Sequence, residues 1–76
     1  MKTHDLERVT AAGREILYFY EYARNDRNGN ARYRVWIIDP ARGAVYEKVF
    51  MGYRAALAQR VQIFIEREAG ENGRKI

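Results

Sequence analysis

The first clear pattern along the chain is an alternation of side chains over residues 15–23, E-I-L-Y-F-Y-E-Y-A. The segment is rich in aromatic and β-branched residues, which is typical of a β-strand. Successive side chains of a strand point to opposite faces, so the segment divides into two sets. One face holds Ile16, Tyr18, Tyr20 and Tyr22, and the other holds Leu17, Phe19 and Glu21.

Two further strands, separated by turn-forming sequences, follow this one. Residues 25–30, N-D-R-N-G-N, form a loop whose N-G dipeptide supplies the positive-φ positions that a hairpin needs. Residues 31–39 then return as an antiparallel strand. The segment D-P-A-R-G places Asp, Pro and Gly as a type I turn followed by a left-handed residue requires. A third strand over residues 44–50 completes a three-stranded antiparallel meander.

From about residue 52 to residue 68 the apolar period changes to 3.6, which indicates an amphipathic helix. Its apolar face is formed by Tyr53, Leu57, Val61, Phe64 and Ile65. The sequence therefore predicts an α+β fold in which one long C-terminal helix packs on one face of the sheet. This sheet-plus-helix core spans residues 14–69 of a single domain.

The two ends of the chain are less regular. Residues 5–12 fit a short helix that Gly13 stops, and residues 6–10 fit equally an extra strand that turns through A-A-G; we lean to the helix. Residues 1–13 are therefore treated as a variable N-terminal segment. The tail, residues 70–76, is polar and broken by glycine, so we expect the helix to end near Gly70 and the tail to be flexible.

Length and composition narrow the class of protein. A chain of 76 residues builds one small core, and 47% apolar with 32% charged residues is typical of a globular protein. The absence of cysteine excludes disulfides and thiolate metal sites. No run approaches the roughly 18 apolar residues of a membrane span, and the first residues lack a signal-peptide pattern. We expect a cytoplasmic protein.

Residues suited to catalysis are scarce. The chain has neither serine nor cysteine, and its one histidine, His4, stands alone near the N-terminus. Glu66 and Glu68 lie two apart on the helix and diverge, whereas Glu21 and Glu47 could meet only if their strands are neighbours. No glycine-rich motif for a nucleotide is present. We predict a protein that is not an enzyme and needs no cofactor or metal.

The formal charge of +4 comes from fourteen basic residues, eleven of them arginine. In the second strand Arg32, Arg34 and Trp36 lie on the face opposite to Tyr33, Val35 and Ile37. If the helix covers the latter face, the former stays open, joined by one of the tyrosine-rich registers of the first strand and by Lys48 or Tyr46 of the third. Arg42 lies in the adjoining turn. Arginine between exposed aromatic rings is typical of nucleic-acid binding. An ordinary solvated sheet face, or a protein-binding one, has the same pattern.

One flank of the predicted helix lies away from its core face. Ile63 is an apolar residue there that no other element obviously covers, and Arg60 and Arg67 lie beside it. We treat these three residues as a hypothetical contact with a second copy or with a partner.

The two last strands, joined by D-P-A-R-G and followed by the helix start R-A-A-L-A, resemble the three-stranded-sheet-plus-helix DNA-binding domain of plant ethylene-response factors and integrase arm-binding domains. The resemblance covers roughly residues 14–68. It implies that Arg32, Arg34 and Trp36, with Arg42 in the turn, contact bases and phosphates. With a helical N-terminus, the element order is also similar to the double-stranded-RNA-binding domain, whose lysine cluster only Arg54 would replace.

These patterns lead to three functional hypotheses. The first is binding of DNA or RNA through the uncovered sheet face. The second is a small inhibitor or adaptor, of the kind that phages and mobile elements encode, that blocks a host protein complex such as a defence system. The third is a homo-oligomer that associates through Ile63 and the tyrosine-rich strand.

Overall fold

The computed structural model describes residues 6–74, and side chains as far as residue 68. His4 therefore lies outside the described residues, as do residues 75–76 of the tail. The elements are β1 (Glu7–Ala11), β2 (Arg14–Asn25), β3 (Ala31–Asp39), β4 (Ala44–Met51), a short 3-10 helix (Arg54–Ala56) and α1 (Leu57–Arg74). The strands form one antiparallel sheet in the order β1-β2-β3-β4. The α+β class and the antiparallel sheet are confirmed, but the sheet has four strands and not three.

The additional strand is β1, which occupies the segment for which we favoured a helix. It pairs with β2 in a register that joins Ala11 directly to Arg14. The two residues between them, Ala12 and Gly13, have φ values of 54° and 75°. Two consecutive positive φ values at a two-residue connection define a type I′ hairpin turn. Alanine rarely adopts this conformation, so the turn gave little signal in the sequence.

The other two hairpin connections are built differently. In the β2–β3 loop the Asp26 carboxylate accepts hydrogen bonds from the backbone N–H groups of Asn28 and Asn30, at 2.9 and 2.8 Å. Only Gly29, and not Asn28 as we expected, has a positive φ there. The β3–β4 turn follows the prediction: the Arg42 N–H donates to the Asp39 carbonyl, and Gly43 has a φ of 63°.

Helix α1 covers one face of the sheet and encloses the core. The buried core side chains are Ala11, Ile16, Tyr18, Val35 and Ile37 from the sheet and Leu57, Val61 and Ile65 from the helix. The covered face thus includes Val35 and Ile37, as the strand alternation allowed. The opposite face has no element packed against it within residues 6–74, and we call it the uncovered face.

The bounds of the helix differ from the prediction at both ends. Tyr53 was expected on its core face, but the side chain is 84% exposed. Gly52, with a φ of 119°, turns the chain so that the helical core positions begin at Leu57. At the other end the backbone stays helical through Gly70 to Arg74. A glycine inside a helix costs only about 1 kcal/mol, which does not by itself end the helix. No helix among residues 6–74 is long and apolar enough to span a membrane.

A buried ion pair joins β2 to the end of β3. The Asp39 side chain is fully buried, and its carboxylate accepts hydrogen bonds from Nε and Nη2 of Arg14, the latter at 2.7 Å. These hydrogen bonds hold the pKa of Asp39 below its ordinary value, against the opposing effect of burial. Sequence reasoning assigned Asp39 only to the turn, because its partner lies 25 residues away.

Candidate binding surfaces

The uncovered face carries an apolar patch. The strand registers bring together seven side chains from three neighbouring strands: Leu17, Phe19, Trp36, Ile38, Val45, Val49 and Met51. Phe19 and Trp36 lie opposite each other and stack, with ring centroids 5.0 Å apart and planes inclined by 15°. Val45 and Val49 are 68% and 55% exposed. On β4, Glu47 stands between Val45 and Val49, so the patch is bordered and interrupted by charge. An exposed apolar patch rimmed by polar residues is typical of a protein–protein contact.

The charges on the uncovered face are of both signs. Arg34, which we predicted as a phosphate-binding residue, lies between two carboxylates: it is 3.5 Å from Glu21 and 3.6 Å from Glu47. Glu21 and Glu47 do not meet as a carboxylate pair, because their strands, β2 and β4, lie on either side of β3. Towards β1, Arg8 and Glu15 form a further ion pair of 3.8 Å. Carboxylates at these positions repel phosphates, so the surroundings of Arg34 are unfavourable for nucleic acid.

Arg32 and Arg42 are far apart. A bulge in β2 between Tyr22 and Arg24 changes the register, so that Arg24 lies directly opposite Arg32 at the hairpin end of the sheet. Arg42 is exposed in the turn at the opposite end of β3. Asp39 lies seven positions after Arg32 along the extended strand, which corresponds to a distance of about 23 Å between their Cα atoms. The structure therefore does not bring Arg32, Arg34, Trp36 and Arg42 into one compact site.

Lys48 is on the helix side of the sheet, and not on the uncovered face as we expected. Its register partner in β3 is Val35, which is fully buried beneath the helix. The ammonium group lies 5.1 Å from the centroid of the Phe64 ring, a cation–π arrangement. The Tyr46 ring also packs against Phe64, edge to face, with ring centroids 5.0 Å apart.

Between β4 and α1 lies an open groove of about 520 Å³, which we call the basic groove. Its lining consists of Lys48, Phe50, Ala56, Gln59, Arg60, Ile63, Phe64 and Arg67. The helix flank that the sequence singled out is therefore joined to Lys48. Among the described side chains, no carboxylate lies within ion-pair distance of these three cations.

A second, smaller hollow of about 320 Å³ adjoins the basic groove. It lies between the β2–β3 loop and the β4–α1 connection, where the Gly52 N–H donates to the Ala31 carbonyl at 2.9 Å. Its lining includes the amide side chains Asn25 and Asn30 and the exposed ring of Tyr53. Gly52 links the two concavities, because a Cβ at that position would lie 3.4 Å from Nη2 of Arg60.

Tyr53 is the residue of this surface that sequence reasoning missed. We counted it as core because its spacing from Leu57 fits the helical period. The glycine immediately before it was the available signal, since a glycine with positive φ redirects the chain. Tyr53 after it is still extended, with φ −90° and ψ 138°, and precedes the first residue of the 3-10 helix.

Comparison with protein families, with characterised proteins and with solved structures gave no significant match for this chain. Within the described part of the chain, no three His, Cys, Asp or Glu side chains are grouped as metal ligands.

Proposed function

We propose that this protein binds nucleic acid through the basic groove between β4 and α1. The observation that carries the proposal is the convergence of Lys48, Arg60 and Arg67 on one concave surface, with no described carboxylate within ion-pair distance of them. Unneutralised cations in a groove attract a phosphate backbone, and binding releases its counterions. The proposal keeps the function predicted from the sequence but moves it from the uncovered face to the helix side.

The surroundings of the groove support a polymer rather than a lone phosphate. Arg60 lies near Gly52, where the groove meets the hollow beside Tyr53. Arg60 and Arg67 are seven residues apart on the helix, a rise of about 10 Å, which is longer than one phosphate group. An exposed aromatic ring at the end of a cationic groove can stack on a base, and the amides of Asn25 and Asn30 can hydrogen-bond base edges.

The first experiment is a fluorescence anisotropy titration of the protein with labelled single-stranded DNA, duplex DNA and duplex RNA. Each is measured at about 50 and 200 mM salt, because the affinity of a phosphate-binding protein falls steeply over this range. Three or four phosphate contacts predict a log–log slope of about −3 on duplex DNA. Absence of binding to all three nucleic acids at low salt would contradict the proposal.

Two double variants locate the surface. Arg60→Ala/Arg67→Ala is expected to weaken binding at low salt by at least tenfold and to reduce the salt slope by about 2. The matched variant Arg32→Ala/Arg34→Ala removes the same charge from the uncovered face and its hairpin end. Loss of affinity in the second variant alone would return the site to the uncovered face.

A second candidate function is that of a protein inhibitor or adaptor. It is favoured by a different observation, the stacked Phe19–Trp36 pair at the centre of an apolar, uncovered sheet face. Aromatic residues are enriched in the contact surfaces of such proteins. If the protein is such an inhibitor, none of the three nucleic acids binds in the titration. Trp36→Ala is then expected to abolish inhibition of the target complex, and Arg60→Ala/Arg67→Ala is expected to leave it unchanged.

A further inference from the structure

The uncovered face is the broadest surface of the described residues with no element packed against it. We infer that two copies of this protein pack face to face through the uncovered sheet, forming a two-fold symmetric sandwich with the helices outside. This inference is independent of the proposed function, because the basic groove lies on the helix side of the sheet.

The apolar character of the face is the first argument. Seven apolar side chains lie on adjacent strands, and the most exposed are Val45, Val49 and Met51, at 68%, 55% and 50%. An antiparallel sheet with one solvated face normally alternates apolar and polar residues, so that its open face is polar. Here seven apolar side chains stand among seven charged ones, so the open face carries an exposed apolar patch rimmed by charge, which is typical of an interaction surface.

The size of the face fits a dimer. Four strands spaced about 4.8 Å apart and some 25 Å long give a footprint of roughly 450–500 Å². The accessible area of the side chains that stand on such a footprint exceeds the footprint itself. Two such footprints together amount to roughly 900–1,000 Å², which is near the lower limit of a specific interface and corresponds to a weak dimer.

The charges of the face favour a second copy over a polyanion. The carboxylates are Glu15, Glu21 and Glu47, and the guanidinium groups of the same face are Arg8, Arg32 and Arg34, with Arg24 at its hairpin end. The two signs are interleaved, so a two-fold related copy can place guanidinium groups of one chain near carboxylates of the other. Two copies of a chain with a charge of +4 meet here with little net repulsion.

The test is the mass of the protein in solution, measured by light scattering after gel filtration or by sedimentation equilibrium. One chain has a mass of 9.0 kDa, so the dimer has a mass of about 18 kDa. Loading from about 1 to 100 µM covers the range in which a dimer of micromolar Kd dissociates. We expect the mass to rise from that of the monomer, or to remain that of the dimer, as concentration increases.

Variants identify the surface that associates. Val49→Glu and Val45→Glu place a charge on an exposed position of the uncovered face, so the monomer still folds while the dimer is lost. Ile63→Glu is the matched control, since Ile63 is 43% exposed on the helix. It is expected to leave the mass unchanged. Circular dichroism of each variant checks that the fold is retained.

Trp36 supplies a second readout, because it is the only tryptophan of the chain and lies at the centre of the face. Association removes its ring from water, so dilution is expected to shift its emission to longer wavelength and to increase quenching by acrylamide. At every concentration, the Val49→Glu protein should show the emission spectrum of the dilute wild-type protein.

Two results would overturn the inference. One is a wild-type mass of 9.0 kDa, that of the monomer, at the highest concentration. The uncovered face would then be a contact surface for a different protein. The other is a dimer that Ile63→Glu dissociates and Val49→Glu does not. Neither result alters the nucleic-acid titration, so the failure of this inference is distinguishable from the failure of the proposed function.

Discussion

At the scale of single residues, partners decide what a charged side chain can do. Arg34 and Arg60 are both exposed arginines, but Arg34 lies between Glu21 and Glu47, whereas Arg60 lines a groove with other cations. The Coulomb field of two adjacent carboxylates cancels much of the attraction of Arg34 for an anion. Only the residue in the groove therefore remains suited to a phosphate.

Asp39 is a residue whose role can be tested by pH. Asp39→Asn removes a charge that accepts hydrogen bonds from Arg14, so we expect a loss of about 1.5–3 kcal/mol in the free energy of unfolding at pH 7. The pKa of Asp39 is lowered in the folded state by those bonds. Its stabilisation is thus fully present above the unfolded pKa of about 3.9 and is lost as pH falls through the lower, folded pKa.

The measurement is urea unfolding of wild type and Asp39→Asn from neutral to acid pH. The two curves of unfolding free energy against pH are expected to converge below the folded pKa of Asp39. Asp26, whose pKa is also lowered, is present in both proteins and cancels in the difference. Glu15→Gln is the control, because its exposed pair with Arg8 is worth less than about 1 kcal/mol. A constant gap at all pH values would contradict this account.

At the scale of elements, the connections between strands determine the sheet more than strand propensity does. The β1–β2 turn sets β1 against β2, and β1 adds Ala11 to the core and Val9 beside it. The bulge after Tyr22 places Arg24 opposite Arg32. The turn at Gly52 keeps Tyr53 out of the helix. Each of these features depends on one or two residues.

The β1–β2 turn carries a strained residue that can be relieved. Ala12 adopts a φ of 54°. For residues other than glycine, asparagine and aspartate, this left-handed backbone conformation costs about 1 kcal/mol in free energy. Ala12→Asn makes the turn Asn-Gly, the preferred pair for a type I′ hairpin. We expect the free energy of unfolding to rise by about 0.5–1 kcal/mol, measured by urea denaturation.

Ala41→Asn is the matched control for that change. Ala41 is exposed in the β3–β4 turn and has no positive φ, so the same substitution relieves no strain there and should alter stability by less than about 0.5 kcal/mol. Equal effects at the two positions would show that the gain does not come from the backbone of Ala12.

At the scale of the whole molecule, the sheet separates two surfaces of different chemistry. The basic groove lies on the helix side, and the apolar, charge-balanced face lies on the other. The proposed binding of nucleic acid and the inferred dimer therefore use different surfaces, and neither blocks the other.

This separation predicts that the two activities respond to different substitutions. Val49→Glu should dissociate the dimer yet leave the affinity for a short oligonucleotide, which occupies one groove, within about twofold per chain, because distant, independent sites act additively. Anisotropy with a short oligonucleotide and the mass measurement, made on the same preparation, check this. A parallel loss of both activities would show that the groove needs the dimer.

The sequence by itself determined the α+β class, three of the four strands, the Asp-Pro turn and the body of the helix. These features depend on periods of two and 3.6 residues and on turn residues close together in the chain, so they are local. For the first strand the sequence did not decide between strand and helix. Five residues are too few to distinguish the two periods, and Ala12 is atypical of the turn that follows the strand.

Only the tertiary structure decided where the candidate sites lie. The register places Lys48 on the helix side of the sheet, beside Phe64, and places Arg34 between two carboxylates. The alternation of side chains had left the neighbours of both residues open. The groove exists because α1 packs closer to β1 than to the opposite edge strand β4, which leaves a space between α1 and β4 that no sequence period encodes. Alternation tells which residues share a face, but the charge near a residue depends on the neighbouring strands and helix, which fold next to it from distant parts of the chain.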